Sequence, residues 1–146
     1  MTGRGKYDDL ILALNGDDES AQVFVRQHTI RRQNFVSFFD NYISSHGIQR
    51  GYIIREANIN PQYGYKLLNG TKHTHNRNII LRICIVAKMN LENIQEALRC
   101  YDMRLLDSDI IRDRIIMAGI ESNRDLYGID VWLRKTGIES LFDDCT

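Results

Sequence analysis

The chain has 146 residues, of which 43% are hydrophobic and 26% are charged. This length suits one domain with a buried core, and the composition excludes a disordered chain. No run of about 18 apolar residues and no signal-peptide pattern occurs, so we expect a cytoplasmic protein with no membrane span. Cys84, Cys100 and Cys145 are odd in number and widely spaced, which predicts free thiols instead of a disulfide framework.

The formal net charge is zero, but the charges are unevenly distributed along the chain. Residues 49–88 hold seven basic and one acidic side chain, whereas residues 89–146 hold seven basic and twelve acidic ones. Residues 1–25 are also acidic, with two basic and five acidic side chains. A basic segment between acidic flanks is typical of a domain that approaches phosphate on one side and stays in solution through the others.

Three helices are predicted before residue 49. Residues 7–14 form a short amphipathic helix, and Asp18 or Ser20 can cap a second helix with apolar side chains over residues 21–25. A third helix runs over residues 33–43, with apolar side chains at helical spacing, and ends at His46 and Gly47. Because the chain has one proline and no alternating strand pattern, the predicted fold class is all-α.

Residues 49–78 carry the features of two short helices joined by a tight turn. Helices that meet at a steep angle need a small residue at the contact, which Ala57 supplies, and a residue that tolerates positive φ, which Asn58 supplies. Asn60 and Pro61 are a strong helix start, because the asparagine can accept hydrogen bonds from free amides and the proline has no amide to satisfy.

The second of these helices is predicted to end at Asn69 and Gly70. The string REANINPQYGYKLLNGTK, residues 55–72, resembles the helix-turn-helix of transcriptional regulators of the Cro and phage-repressor type, the xenobiotic-response-element family. The resemblance covers roughly residues 35–97 and extends weakly to compact regulators with extra helices on both sides. It implies a lambda-repressor-like domain that binds double-stranded DNA as a homodimer and acts by occupying an operator.

Two positions depart from the usual pattern of that family. Asn58 stands where glycine is usual, and asparagine is the best non-glycine residue for a left-handed conformation. Gly64 stands where an aliphatic residue commonly anchors the second helix to the core. We expect Tyr63 or Tyr65 to fill the space that this glycine leaves.

The remaining helices complete one domain. After a loop over residues 71–76, a helix carries apolar side chains on one face, and Asn90 precedes a fifth helix of the core. The acidic residues 107–109 are expected to cap an apolar helix, and residues 122–125 begin the last one. The prediction is a single helical domain, residues 1–146, with an N-terminal extension (1–33), a helix-turn-helix core (34–102) and a C-terminal helical pair (103–146).

Several side chains in this core are candidates for DNA contacts. Gln62 and Lys66 lie one helical turn apart, so both point the same way, and glutamine can pair with adenine while lysine can reach guanine or phosphate. Tyr63 and Tyr65 fit the core, although one of them can contact sugar or a thymine methyl. The resemblance also implies phosphate contacts at the start of the preceding helix and in the following loop. The full set is Arg50, Asn60, Gln62, Tyr63, Lys66, Thr71, Lys72, His73 and Arg77.

A metal site and an enzyme are not expected. His73, His75 and Cys84 lie near each other in the sequence, but a structural zinc site needs four ligands, and no CxxC or HxxxH string is present. No phosphate-loop, dinucleotide-binding or nucleophile-elbow string occurs, and the carboxylates are scattered over polar helix faces. The sequence therefore predicts no metal, no cofactor and no enzymatic activity.

Two alternatives stay open at the level of the sequence. The same scaffold can serve a protein-interaction module, such as an antitoxin or a regulatory partner, that does not bind DNA. The basic charge gathered around the turn favours DNA. The position of the homodimer interface is the second question, and the apolar residues 107–142 predict it at Ile111, Ile115, Trp132 and Phe142, unless these side chains are used inside the fold.

Overall fold

The computed structural model describes residues 7–143, and for residues 27–34 it describes the backbone without the side chains. The predicted all-α class is confirmed for this part of the chain, which contains helices and no strand. None of the described helices has both the length and the apolar character that crossing a bilayer requires. The helices are α1 (Asp8–Leu14), α2 (Asp18–His46), α3 (Arg50–Glu56), α4 (Pro61–Leu68), α5 (Arg77–Val86), α6 (Leu91–Cys100), α7 (Ile111–Glu121) and α8 (Leu126–Lys135).

The second helix is longer than the sequence predicts. α2 spans 29 residues, so the two helices expected over residues 18–43 are one continuous helix. Its cap is Asp17, whose side chain accepts a hydrogen bond from the Ser20 amide at 2.7 Å, and not Asp18 or Ser20 itself. No glycine or proline lies between residues 18 and 46 to end the helix, and Gly47 ends it with φ +63°. The boundary predicted between residues 33 and 34 falls inside this helix.

α5 forms the centre of the core. Every residue from Asn78 to Ile85 is buried, and a helix that is buried on all sides belongs in the middle of a domain. The C-terminal half of α2 packs against α6 and contributes the buried Phe35, Phe39 and Ile43. The ring of Phe35 meets the ring of Tyr101 edge-on, with centroids 4.5 Å apart, which fixes the end of α6 against α2.

Polar contacts attach the C-terminal helices to α5. Asp113 of α7 is fully buried and accepts two hydrogen bonds from Arg77, each 3.0 Å long, and one from Arg104 at 2.6 Å. The Arg112 guanidinium donates to the side-chain oxygen of Asn78 at 2.7 Å. The C-terminal pair is therefore part of the same folded unit as the helices before it.

The acidic residues 107–109 do not cap α7, contrary to the expectation from the sequence. α7 begins at Ile111, and no side chain caps it. The side chain of Asp107 accepts a hydrogen bond from the Asp109 amide at 2.9 Å, while the Asp107 amide donates to Asp113 at 3.0 Å. These residues form a tight turn over the buried carboxylate, because Asp113 offers their backbone an acceptor that solvent cannot reach.

The ion pairs also set the protonation of Asp113. Burial acts to raise the pKa of this carboxyl, but hydrogen bonds from Arg77, the Asp107 amide and Arg104 outweigh it and hold the pKa below its usual 3.8. The carboxylate is therefore the form that the fold stabilises.

We predict that Asp113→Ala lowers the free energy of unfolding by about 3–5 kcal/mol at neutral pH, because it leaves two guanidinium groups without their buried partner. Asp109→Ala, at an exposed neighbouring position, is the control and is expected to change it by less than about 0.5 kcal/mol. Urea unfolding followed by circular dichroism measures both. Equal losses in the two variants would contradict the structural role of Asp113.

The same carboxylate makes stability depend on pH. Because its pKa in the folded protein lies below the unfolded value of about 3.9, its contribution is complete above about pH 4 and disappears as the pH falls through the folded pKa. The difference in unfolding free energy between the wild type and Asp113→Ala should therefore narrow in acid. A difference that stays constant from neutral pH to below about pH 3 would show that the ionised form contributes nothing.

Candidate nucleic-acid interface

α3, residues 57–60 and α4 form a compact pair of helices, called here the α3–α4 unit. α3 ends in a Schellman motif, in which the Asn58 amide donates to the Arg55 carbonyl and the Ile59 amide to the Ile54 carbonyl, both at 3.1 Å. Asn58 has φ +57°, as its position in the sequence predicts. This motif reverses the chain within a few residues, so α4 starts beside the end of α3.

The turn of the α3–α4 unit is hydrogen-bonded to a buried arginine of α5. Arg82 of α5 is 1% exposed and donates a hydrogen bond to the Ala57 carbonyl at 2.8 Å. Its other arm donates to the Leu141 carbonyl, also at 2.8 Å. The turn of the α3–α4 unit is thus joined both to the central helix and to the chain after α8.

Gly64 lets α4 pack closely against α3. A Cβ atom at this position would lie 2.9 Å from Cγ2 and 3.0 Å from Cγ1 of Ile54. The expectation that Tyr63 or Tyr65 fills a gap beside this glycine is therefore wrong. Ile54 fills the space, because the missing side chain lets α4 rest directly on it. Tyr63 is half-buried against the core, while Tyr65 is 47% exposed.

The outer face of α4 is polar and accessible. Gln62, Tyr65 and Lys66 follow one another at helical spacing and are exposed. The opposite face is buried and consists of Gly64, Leu67 and Leu68. Sequence reasoning placed Gln62 and Lys66 on this face but chose Tyr63 in place of Tyr65. The spacing of three residues from Gln62 was the signal that identifies Tyr65.

The loop after α4 returns along the same side of the unit. The Thr71 amide donates to the side chain of Asn69 at 2.9 Å, and the Lys72 amide donates to the Lys66 carbonyl at 3.0 Å. The side chains of Thr71 and Lys72 are exposed beside the end of α4. His73 is half-buried, and its ring stacks on Tyr101 with centroids 4.5 Å apart, so it supports the loop from beneath.

Arg50 and Asn60 both lie at helix starts but have partners in the structure. Arg50, the first residue of α3, forms a half-exposed ion pair with Asp40 of α2. Asn60 is exposed, and its side-chain oxygen accepts a hydrogen bond from the Tyr63 amide at 3.2 Å, so it caps α4 as the sequence predicts. The side-chain nitrogen of a capping asparagine still has donors for another acceptor.

Arg77 is not part of this surface, and we remove it from the candidate set. Its side chain is only 15% exposed and is held by Asp113. It also donates to the Arg104 carbonyl at 2.8 Å and to the Leu105 carbonyl at 3.2 Å. A guanidinium group bound on three sides inside the fold cannot meet a phosphate, so the expected phosphate contact is corrected to a structural one.

The charge around the α3–α4 unit is basic but smaller than the sequence suggests. No Asp or Glu occurs from residue 57 to residue 91. Of the seven basic side chains in residues 49–88, Arg77 and Arg82 are used inside the fold, and Arg50 is paired. The exposed basic side chains outside these contacts are Arg55, Lys66, Lys72 and Lys88.

Arg55 was not among the candidates chosen from the sequence. Its guanidinium group lies over the ring of Tyr52, an exposed residue of α3.

The histidines and cysteines near the α3–α4 unit pack against other side chains or are buried. In the part of the chain that the structure describes, no group of three or more His, Cys, Asp or Glu side chains is placed to hold a metal ion. His73 and His75 meet edge-on, with ring centroids 5.2 Å apart. Cys84 and Cys100 are buried thiols that form no disulfide, and burial raises the pKa of Cys84 to about 12, which keeps it protonated. Cys145, the third predicted thiol, lies outside the described residues.

The four residues predicted for a dimer interface do not share one environment. Of this set only Ile111 is mostly exposed, at 62%. The Arg124 guanidinium lies over the ring of Trp132 at 4.0 Å. Phe142 packs against the core, with its ring stacked on Tyr127 at 5.3 Å, so the structure uses this side chain internally.

A scan against protein-family models and searches of curated proteins and of solved structures found no match to this chain. Its function must therefore be inferred from its own geometry and charge.

We predict that Gly64→Ala lowers the free energy of unfolding by about 1–3 kcal/mol, because the added methyl group overpacks the contact with Ile54. In an Ile54→Ala background, the three Ile54 atoms that the added methyl group would meet are absent. The same change there should cost nothing or stabilise α4 by up to about 1 kcal/mol, since alanine favours a helix over glycine. Urea unfolding of the four proteins gives the coupling energy. An equal cost in both backgrounds would contradict the close approach.

Proposed function

We propose that this chain is a sequence-specific DNA-binding regulator of transcription, which acts as a homodimer by occupying an operator. The observation that carries the proposal is the exposed polar face of α4, backed by a fully buried face. In this proposal α4 lies in the major groove, which is about 12 Å wide and admits a helix. A two-fold dimer then sets half-sites about 34 Å apart, or a multiple of that distance.

The three exposed side chains of α4 suit different contacts. Gln62, in the first turn, can pair bidentately with adenine, and Lys66 can reach guanine acceptors or a phosphate one turn later. Tyr65 lies between them on the same face and can contact a sugar or a thymine methyl. Base readout would therefore depend on Gln62, because its side-chain amide has both a donor and an acceptor for a two-bond contact.

Arg50, Thr71 and Lys72 are the proposed phosphate ligands. Thr71 and Lys72 are exposed beside the end of α4, and Arg50 begins the preceding helix. The pair between Arg50 and Asp40 does not prevent this role, because both side chains are more than one third exposed and a solvent-screened ion pair contributes only about 0–1 kcal/mol. A phosphate can replace the carboxylate at little cost.

One observation favours a second candidate, a protein-interaction module on the same scaffold that does not bind DNA. Arg77 and Arg82 are enclosed in the fold, so two of the charges that made residues 49–88 basic do not reach the surface. A polar helix face with moderate basic charge also suits an acidic protein partner. The salt dependence of DNA binding separates the two candidates.

If Arg50, Lys66 and Lys72 each neutralise one phosphate, log K for DNA should fall with log salt with a slope of about −2.7 for each protomer, at −0.9 per phosphate. Lys66→Ala should reduce the steepness by about 0.9. Lys135→Ala, at an exposed position on α8, is the control and should leave the slope unchanged. Fluorescence anisotropy with genomic DNA fragments measures this. A wild-type slope near zero would exclude DNA as the partner and favour the protein-interaction module.

Gln62→Ala is expected to weaken binding to the cognate site by about 1–3 kcal/mol and to leave non-specific binding nearly unchanged, because a bidentate contact reads one base pair. The control is Gln22→Ala, an exposed glutamine on α2 far along the chain from α4. Selection from random duplexes supplies the cognate site, and anisotropy compares it with a scrambled sequence. Equal losses on both DNAs would remove Gln62 from base readout.

A further inference from the structure

A cleft of about 280 Å³ lies between α3, the end of α5 and the junction of α7 with α8. A hydrogen bond joins two of these elements beside the cleft, since the Tyr127 hydroxyl donates to the Glu56 carbonyl at 3.2 Å. Ligand clefts in proteins commonly measure ~300–1,000 Å³, and they form preferentially where separate structural units meet. The size and the position of this cleft therefore suit a small molecule.

The floor of the cleft is apolar and belongs to the core. Ile85, Met89 and Leu126 line it, and each of these side chains is buried. Val86 and Ile120 are half-buried and extend the same floor. Because the packing of the protein holds these side chains in place, the floor is formed before a ligand arrives. An apolar group that settles on it leaves water, which favours binding.

Two tyrosine rings from different helices line the sides of the cleft. Tyr52 of α3 is 42% exposed, and Tyr127 of α8 is 50% exposed. Each ring has one neighbour within the chain, Arg55 at Tyr52 and Phe142 at Tyr127, and keeps accessible surface beyond that contact. Aromatic rings associate with other rings in offset or edge-on arrangements. An aromatic group is therefore the apolar group that fits this cleft best.

Four charged residues line the cleft, and two of them already have partners. Asp125 caps α8 by accepting the Gly128 amide at 2.7 Å, and Arg124 donates to the Gly128 carbonyl at 3.1 Å. The other two are Glu56, which is half-buried, and Lys88, which is exposed. Among the side chains that the structure describes, neither the Glu56 carboxylate nor the Lys88 ammonium group has a hydrogen-bond or ion-pair partner, and the two do not pair with each other.

We infer that this cleft binds a free aromatic amino acid as its zwitterion. The α-ammonium group of the ligand pairs with Glu56, its α-carboxylate pairs with Lys88, and its ring lies on the apolar floor beside the two tyrosines. A ligand with a single charged group satisfies only one of the two protein charges. No residue of α4 lines the cleft, and binding requires no DNA, so this inference and the proposed function can fail separately.

The first test is isothermal titration calorimetry of the full chain with L-phenylalanine in the absence of DNA. We expect saturable binding at one site per chain. Phenethylamine lacks the carboxylate and 3-phenylpropionate lacks the ammonium group, so each should bind at least about tenfold more weakly through the loss of one charge-assisted hydrogen bond. The inference is overturned if L-phenylalanine, L-tyrosine and L-tryptophan all show no saturable binding. It is also overturned if either analogue binds as tightly as L-phenylalanine.

The second test separates the two charged contacts. Glu56→Gln should weaken the binding of L-phenylalanine at least about tenfold and leave that of 3-phenylpropionate unchanged, since this analogue has no group for the carboxylate. Lys88→Gln should weaken L-phenylalanine similarly and leave phenethylamine unchanged. Glu92→Gln, at an exposed position of α6 outside the cleft, is the control and should bind like the wild type. Thermal melts check that each variant is folded. Binding of L-phenylalanine that neither cleft variant weakens overturns the inference.

Discussion

The structure depends on one buried guanidinium group. Arg82 lies in the middle of α5, at the centre of the core, where an unpaired charge would be strongly unfavourable. It is satisfied by the carbonyls of Ala57 and Leu141, which come from the α3–α4 turn and from the chain after α8. The requirement to bond this group fixes two distant segments on the same helix, and the exposed face of α4 is oriented as a result.

A second buried polar group, Asp113, fixes the C-terminal helices to α5 as Arg82 fixes the α3–α4 turn. Asp113 is enclosed by Arg77, Arg104 and the turn before α7, so the C-terminal helices are fixed to the start of α5 through charge-assisted hydrogen bonds. Such contacts are directional, whereas apolar packing alone tolerates sliding. The C-terminal pair therefore acts as scaffold for the α3–α4 unit, and Tyr127 of α8 donates a hydrogen bond to the Glu56 carbonyl at the end of α3.

Because Arg77 and Arg82 lie inside the fold, the charge count of the sequence overstates the basic surface. Seven basic side chains in residues 49–88 suggest a strongly basic surface, but the fold encloses two of them. What remains is a smaller group of exposed cations around a polar helix, and residues 57–91 contain no Asp or Glu. The specific recognition that we propose for α4 would depend more on that arrangement than on total charge.

The sequence by itself determined the features that depend on neighbouring residues. The all-α class, the caps at Asn60 and Asn90, the left-handed Asn58 and the end of α4 near Gly70 all follow from backbone preferences and hydrogen bonds within a few residues. The exposed positions of Gln62 and Lys66 also follow, because helical periodicity alone separates the two faces of α4. The length of α2 was missed because a lapse in apolar spacing does not end a helix when no breaker is present.

Only the tertiary structure decided which side chains meet across distant segments. Arg77 lies 36 positions before Asp113 in the chain, and nothing local to either residue indicates their contact. The same holds for Phe142, which a pattern of apolar residues cannot assign to the core or to an interface, and for Gly64, whose space is taken by Ile54 of another helix. Local preferences fix the helices, but the packing of one helix on another sets which charges and apolar groups remain at the surface, since that depends on every segment at once.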